Sequence, residues 1–176
     1  MIIAISGAHG TGKSTLAEAL ADRLEGFVLV EEPYWQLVEE GHAFSQPPTV
    51  NDFEAQLDRS IASILASEGD VIFERCPLDF LGYLAVHSDV LTFDPETRID
   101  EVCKAMELID LIVFVPVEDP DRIPDVECAS MRRRVDEELR ELVMEDRLDL
   151  GLNAIEVFGS PEQRATMVEL ELRNLQ

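Results

Sequence analysis

Five short runs of Ile, Val, Leu and Phe punctuate the chain, at residues 1–6, 27–30, 71–73, 111–115 and 154–158. Stretches with apolar positions three or four apart separate them. Continuous apolar runs of this length suit strands covered on both faces, and their alternation with helical pattern predicts an α/β fold built on a parallel sheet. Leu16, Leu20 and Leu24 give one apolar face to the first helix. Phe53, Leu57, Ile61, Ile64 and Leu65 mark a second, with Asn51 or Asp52 as its cap. After the third run, residues 78–86 read as a helix entered through Pro77, and 88–95 as a loop before a helix carrying Val102, Met106 and Ile109. The Pro- and Asp-rich residues 116–125 read as a loop before a longer helix with Met131, Val135, Leu139 and Leu142 inward, and a last helix follows Pro161.

Nothing in this rhythm repeats or parts the chain, so residues 1–176 are expected to form one domain, large enough to bury a core without staples. No apolar run approaches the length of a membrane span, and residues 1–5 lack the basic flank and cleavage site of a leader, which predicts a cytoplasmic protein with no membrane partner. Cys76, Cys103 and Cys128 have no metal-binding spacing and are expected to be reduced thiols. The formal net charge is −23, from 37 acidic and 14 basic residues. Such a surface repels a polyanion and argues against nucleic acid as a partner.

Between the first strand and first helix stands Gly7-Ala8-His9-Gly10-Thr11-Gly12-Lys13-Ser14, which fits G-x-x-x-x-G-K-[ST]. Glycines allow successive N–H groups to converge on an anion, and the helix beginning beside them adds its positive end. Lys13 can reach the outer phosphates, and the Ser14 hydroxyl can hold Mg²⁺. His9 occupies a variable position and reads as an exposed spacer within the loop.

In sheets of this kind working groups gather at the carboxyl ends of the strands. The second strand ends in Glu31-Glu32-Pro33 and the third in Glu74-Arg75. A carboxylate after the second strand can accept a proton from an attacking hydroxyl, and one after the third can bind Mg²⁺ through water. Pro33 makes a rigid exit from its strand, and Arg75 can clamp a phosphate or steady the base.

Taken together, residues 7–15 through Thr15, Glu32-Pro33 and Phe73-Glu74-Arg75-Cys76 resemble the phosphate loop, E-P motif and E-R-S motif of deoxynucleoside kinases. Residues 75–79 and Gly159-Ser160-Pro161 with Arg164 are similar to AAA-type ATPase-domain proteins related to the nicotinamide riboside kinase domain. The resemblance implies a P-loop NTPase fold, a five-stranded parallel sheet in the order 2-3-1-4-5 with helices on both faces and an arginine-bearing lid near residues 116–140. It also implies ATP and Mg²⁺ as cofactors, Glu32 as general base, Glu74 as metal partner and Arg75 as their organiser. Gln56 matches a position that reads the substrate base, with Phe53, Tyr34 or Trp35 stacking on it. Cys76 stands where those kinases have serine, which leaves the acceptor open.

Arg132-Arg133-Arg134 form the dense basic cluster of the chain. Placed on the lid, Arg132 and Arg134 can neutralise charge on the transferring phosphoryl group, while a solvated face pairing with Glu137, Glu138 and Glu141 is the plainer use of the cluster. Gly159 and Ser160 are candidates for covering the adenine. The absence of arginine from residues 43–54 favours an uncharged acceptor over a nucleotide monophosphate.

The expectation is therefore phosphoryl transfer from ATP to the hydroxyl of a small molecule, a nucleoside or nucleoside-like acceptor. The alternative is an NTPase acting as a nucleotide-dependent switch. A homodimer is compatible with either.

Overall fold

A computed structural model describes residues 1–87, 98–121 and 129–175. The expected loop at 88–95, part of the loop at 116–125 and Cys128 therefore lie partly or wholly outside the described residues.

Strands β1 (Ile2–Ser6), β2 (Val28–Val30), β3 (Val71–Glu74), β4 (Leu111–Phe114) and β5 (Ala154–Glu156) form one parallel sheet in the order β2-β3-β1-β4-β5. The order implied by the resemblance is the order observed. β1 lies at the centre, pairing Ile3 with Ile72 on one side and with Leu111 on the other. Its apolar residues alternate between two cores. Ile3 and Ile5 join Ile72, Leu111 and Val113 beneath helices α1 (Lys13–Arg23) and α7 (Pro161–Asn174). Ala4 joins Phe73, Ile112 and Phe114 on the opposite face. There the cover consists of α3 (Val50–Leu65), α4 (Pro77–Val86), α5 (Ile99–Met106) and α6 (Ala129–Leu139). This double cover is why the strands read as unbroken apolar runs.

Several local expectations change. The cap of α3 is Thr49, not Asn51 or Asp52: Asp52 lies in the first turn, where its carboxylate accepts from the Thr49 N–H at 2.8 Å and hydroxyl at 2.7 Å. Pro33 does more than stiffen a strand exit, since it opens α2 (Pro33–Glu39), too short for its periodicity to show in sequence. α5 ends at Met106, before Ile109. The longer helix widens after Leu139 into a π-helical turn, Arg140–Met144, that still buries Leu142 and Val143. Gly82 lets α6 close on α4, because a Cβ there would come within 2.8 Å of Leu139.

The strand order reverses direction on either side of β1, so the carboxyl ends of β1, β3 and β4 open into one crevice. Among the described residues no helix is long and apolar enough to cross a membrane.

Candidate functional site

The glycine loop fills the head of this crevice. Gly7 has φ +149°, and a Cβ on it would meet the Val115 carbonyl at 2.3 Å, so only glycine allows the loop to leave β1 beside the end of β4. Gly12, at φ +90°, then caps α1 and aims its first turn at the loop. Ala8, Thr11 and Lys13 are buried, Gly10, Ser14 and Thr15 exposed. The Lys13 ammonium folds back on its own loop, donating to the Ala8 carbonyl at 2.7 Å, and the Thr11 hydroxyl donates to the same oxygen at 3.0 Å. Burial, then the Arg75 guanidinium, pull the Lys13 pKa down to about 7.

Arg75, just past the end of β3, bonds to Glu32, Gly7 and Asp79, and no hydrogen bond or ion pair joins it to Glu74 among the described residues. Arg75 sits in the left-handed region at φ +76°, a costly conformation for a residue with a Cβ, and its side chain is 8% exposed. Its Nε donates to Glu32 Oε2 at 2.8 Å, and one terminal nitrogen donates to the Gly7 carbonyl at 3.1 Å and to Asp79 at 3.3 Å. Burial pushes the Glu32 carboxyl up, but Arg75 and Lys13 outweigh it and hold the group below the ordinary range. Glu32 Oε1 has no hydrogen-bond partner among the described residues. On the next strand end, Ser14 donates to Glu74 Oε1 at 2.6 Å. Burial raises the Glu74 pKa, and Glu32 nearby adds to the rise against the Ser14 hydrogen bond. No cluster of three or more metal-ligating His, Cys, Asp or Glu exists among the described residues. The hard oxygens of Ser14 and Glu74 are suited to Mg²⁺, which keeps several waters and needs few protein ligands.

A cavity of about 880 Å³ is lined by His9, Arg75 and Arg134, with Tyr34, Phe53, Gln56, Phe80, Tyr83, Val86 and Met131 among its walls; Glu32, Ser14 and Glu74 are outside the lining, and Glu32 meets it through its partner Arg75. Phe53 stacks on Tyr83 with ring centroids 5.1 Å apart, and the Arg75 guanidinium lies 5.4 Å from the Tyr83 ring centre. Gln56 is buried on the same helix face and donates to the Asp52 carbonyl at 3.0 Å. Trp35 is 54% exposed and outside the lining; successive helical residues point about 100° apart, so α2 sends Tyr34 inward and Trp35 out. His9 is no exposed spacer. It is half-buried, its N–H donates to the Tyr83 hydroxyl at 2.9 Å, and its Nδ1 lies 3.1 Å from the same oxygen.

The arginine cluster divides. Arg134 is exposed and faces the cavity; Arg133 is exposed and outside the lining. Arg132 is buried against the glycine loop, donating to the His9 carbonyl at 2.7 Å and the Gly10 carbonyl at 2.9 Å, and it pairs with Asp121. Among the described residues Glu138 and Glu141 pair with Arg147, and no ion pair from Arg133 or Arg134 to Glu137, Glu138 or Glu141 is seen. Gly159 donates its N–H to Glu118 at 2.7 Å, and Ser160 caps α7.

Asp79 and Tyr83 had no assigned role from sequence. Asp79, fully buried, accepts from the Gly7 N–H at 3.1 Å and the Cys76 N–H at 3.0 Å, joining loop and strand end. Its position four residues after Arg75 was the available signal. Tyr83 lies one turn after Asp79 on the same face of α4 and carried no signal beyond an apolar helix.

A family described as an AAA domain has a model that matches residues 2–164. No curated protein matches the sequence. Among solved structures, the chain is similar to a deoxyadenosine kinase from M. mycoides with products dCMP and dCDP bound: 16% identity, TM-score 0.70, 100% of each chain covered. A NadR protein in complex with NAD and AMP-PNP also has TM-score 0.70 and 16% identity, over 99% of this chain and 50% of that one. A shikimate kinase from Aquifex aeolicus has TM-score 0.61 and 16% identity, over 99% and 97%. At these identities the likeness is one of fold.

Proposed function

We propose, from the premise that the chain belongs to the AAA domain family, that it transfers the γ-phosphoryl group of ATP to the hydroxyl of a small molecule, a nucleoside or nucleoside-like alcohol. The observation that carries this reading is Glu32, held beside the glycine loop by Arg75, which itself lines an aromatic-walled cavity of about 880 Å³. A switch or simple hydrolase has no need of so large an acceptor-sized space lined by the arginine that fixes a carboxylate. The products and ligands that accompany the deoxyadenosine kinase and NadR folds lend support from the acceptor side.

In this scheme the glycine loop and Lys13 hold the triphosphate, and Lys13 exchanges the Ala8 carbonyl for phosphate oxygens. Ser14 and Glu74 would hold Mg²⁺, which would supply positive charge to offset that of the phosphates. Glu32 takes the proton of the acceptor hydroxyl as the oxygen attacks in line. The new O–P bond forms, the bond from Pγ to ADP breaks, and ADP and the phosphorylated acceptor are released. Arg75 holds Glu32 in place and keeps it ionised until it takes the proton, and Arg134 meets the charge on the transferring group.

Phe53 and Tyr83 offer stacked faces to a planar acceptor group, with Tyr34 nearby and the Gln56 amide as a reader of its edge. With Arg134 assigned to the transferring phosphoryl group, an acceptor without a phosphate of its own is favoured. Arg59 is paired with Glu40 and outside the cavity lining, and Arg75 is committed to Glu32, Asp79 and Gly7.

The test incubates the protein with ATP, Mg²⁺ and a panel of nucleosides, following ADP and phosphorylated product together. Acceptor-dependent ADP with matching product is expected. ADP release indifferent to every acceptor would instead indicate a nucleotide-dependent switch.

A further inference from the structure

The three successive carbonyls His9, Gly10 and Thr11 are each gripped from outside the loop by an arginine of a distant helix. Arg132 on α6 takes the first two, at 2.7 and 2.9 Å. Arg164 on α7 takes the third, its terminal nitrogen 2.7 Å from the Thr11 oxygen. Both side chains are almost wholly buried, 3% and 6% exposed. Each is anchored by a carboxylate from the segment after β4: Asp121 pairs with Arg132, and Glu118 binds Arg164 at 2.8 Å while also accepting the Gly159 N–H.

A trans peptide is planar, with the C=O of one residue and the N–H of the next pointing to opposite sides. Drawing the carbonyls of residues 9, 10 and 11 toward the outer helices therefore turns the N–H groups of Gly10, Thr11 and Gly12 the other way, into the loop. We infer that Arg132 and Arg164 are positioning residues that aim these three N–H groups at the nucleotide phosphates. The role rests on the loop holding a triphosphate, as proposed above. It moves Arg132 from lid catalysis to loop geometry and supplies a role for Arg164.

The side-chain chemistry suits the task. A guanidinium presents several donors in a rigid plane, so one Arg132 spans two carbonyls and Asp121, and one Arg164 spans a carbonyl and Glu118. An ammonium is a single point and cannot hold the same fork. The charges are also well placed, since each guanidinium cancels the partial negative charge of carbonyls that otherwise oppose an incoming anion. Gly12 leaves the needed room: a Cβ there would stand 3.1 Å from the Arg164 terminal nitrogen.

The experiment compares Arg132→Met and Arg164→Met with Arg133→Met as control, by calorimetric titration with tripolyphosphate and, separately, adenosine. Each of the first two variants is expected to bind tripolyphosphate at least about tenfold more weakly, the loss of a charge-assisted hydrogen bond, with adenosine affinity unchanged. Arg164→Lys recovers part of the loss, and Arg133→Met shows none. Amide spectra add a readout that general loosening does not move: tripolyphosphate shifts the Gly12 N–H in the unaltered protein and leaves it unshifted in Arg164→Met. A folded Arg164→Met with unaltered tripolyphosphate affinity and Gly12 shift overturns the positioning role, as does equal weakening toward adenosine. If either variant fails to fold, Glu118→Gln and Asp121→Asn keep an acceptor but remove the anchoring charge; a loss of about threefold is expected, and wild-type affinity in both overturns the role. Failure of the unaltered protein to bind tripolyphosphate sinks the proposed function itself.

Discussion

The Ser14 hydroxyl donates a 2.6 Å hydrogen bond to Glu74 Oε1, joining the first turn of α1 to the end of β3 across 60 residues of sequence. The two oxygens thus face each other where the loop meets the strand end. Replacing Glu74 by Gln keeps an acceptor for Ser14 but removes the charge a divalent cation needs. The Mg²⁺ concentration giving half-maximal turnover is expected to rise by about 10- to 100-fold, read from a metal titration at saturating ATP.

Glu32→Gln separates the base from the frame that holds it. The amide still accepts the Arg75 hydrogen bond but cannot take a proton. The kcat is expected to fall about 10²- to 10⁴-fold while ATP affinity stays near that of the unaltered protein. Unchanged turnover removes Glu32 as the base.

Lys13 makes nucleotide binding a proton-linked event. Its folded pKa, about 7, lies below the ordinary 10.5, so between those values the unfolded chain holds more protons and this group's contribution to ligand-free stability rises with pH. Phosphate bound to the ammonium restores the charged form. At about pH 8.5, ATP binding should take up about one proton, fading below about pH 7, where the free protein already carries it. Calorimetry in buffers of different ionisation enthalpy measures the uptake. A Lys13→Met variant is expected to show none.

Gly7→Ala tests the close passage of loop and β4. The added methyl meets the Val115 carbonyl at 2.3 Å, and both partners are backbone, so neither rotates away. Urea unfolding is expected to show a loss of about 2 kcal/mol or more, with ATP binding impaired in the folded fraction.

Much of this was readable beforehand, because local features carry it. The strand rhythm reports double burial, and the glycine loop between β1 and α1 reports its own backbone geometry. The positions of Glu32, Glu74 and Arg75 follow from strand ends that converge once the sheet is parallel. Less readable were α2, shorter than two periods of a helical pattern, and the cap of α3, where Thr49 and Asp52 satisfy each other.

The sequence by itself determined which residues form the sheet, where the phosphate loop lies and which carboxylates stand at its rim, since period, φ-permissive glycines and strand ends are properties of neighbours in the chain. Only the tertiary structure decided that His9 meets Tyr83, that Asp79 ties the loop to α4, and that Arg132 and Arg164 grip the loop from 123 and 153 residues away. The physical reason is directional. A guanidinium has many donors and a long stem, and its use is set by which carbonyls and carboxylates the packing of α6 and α7 brings within reach.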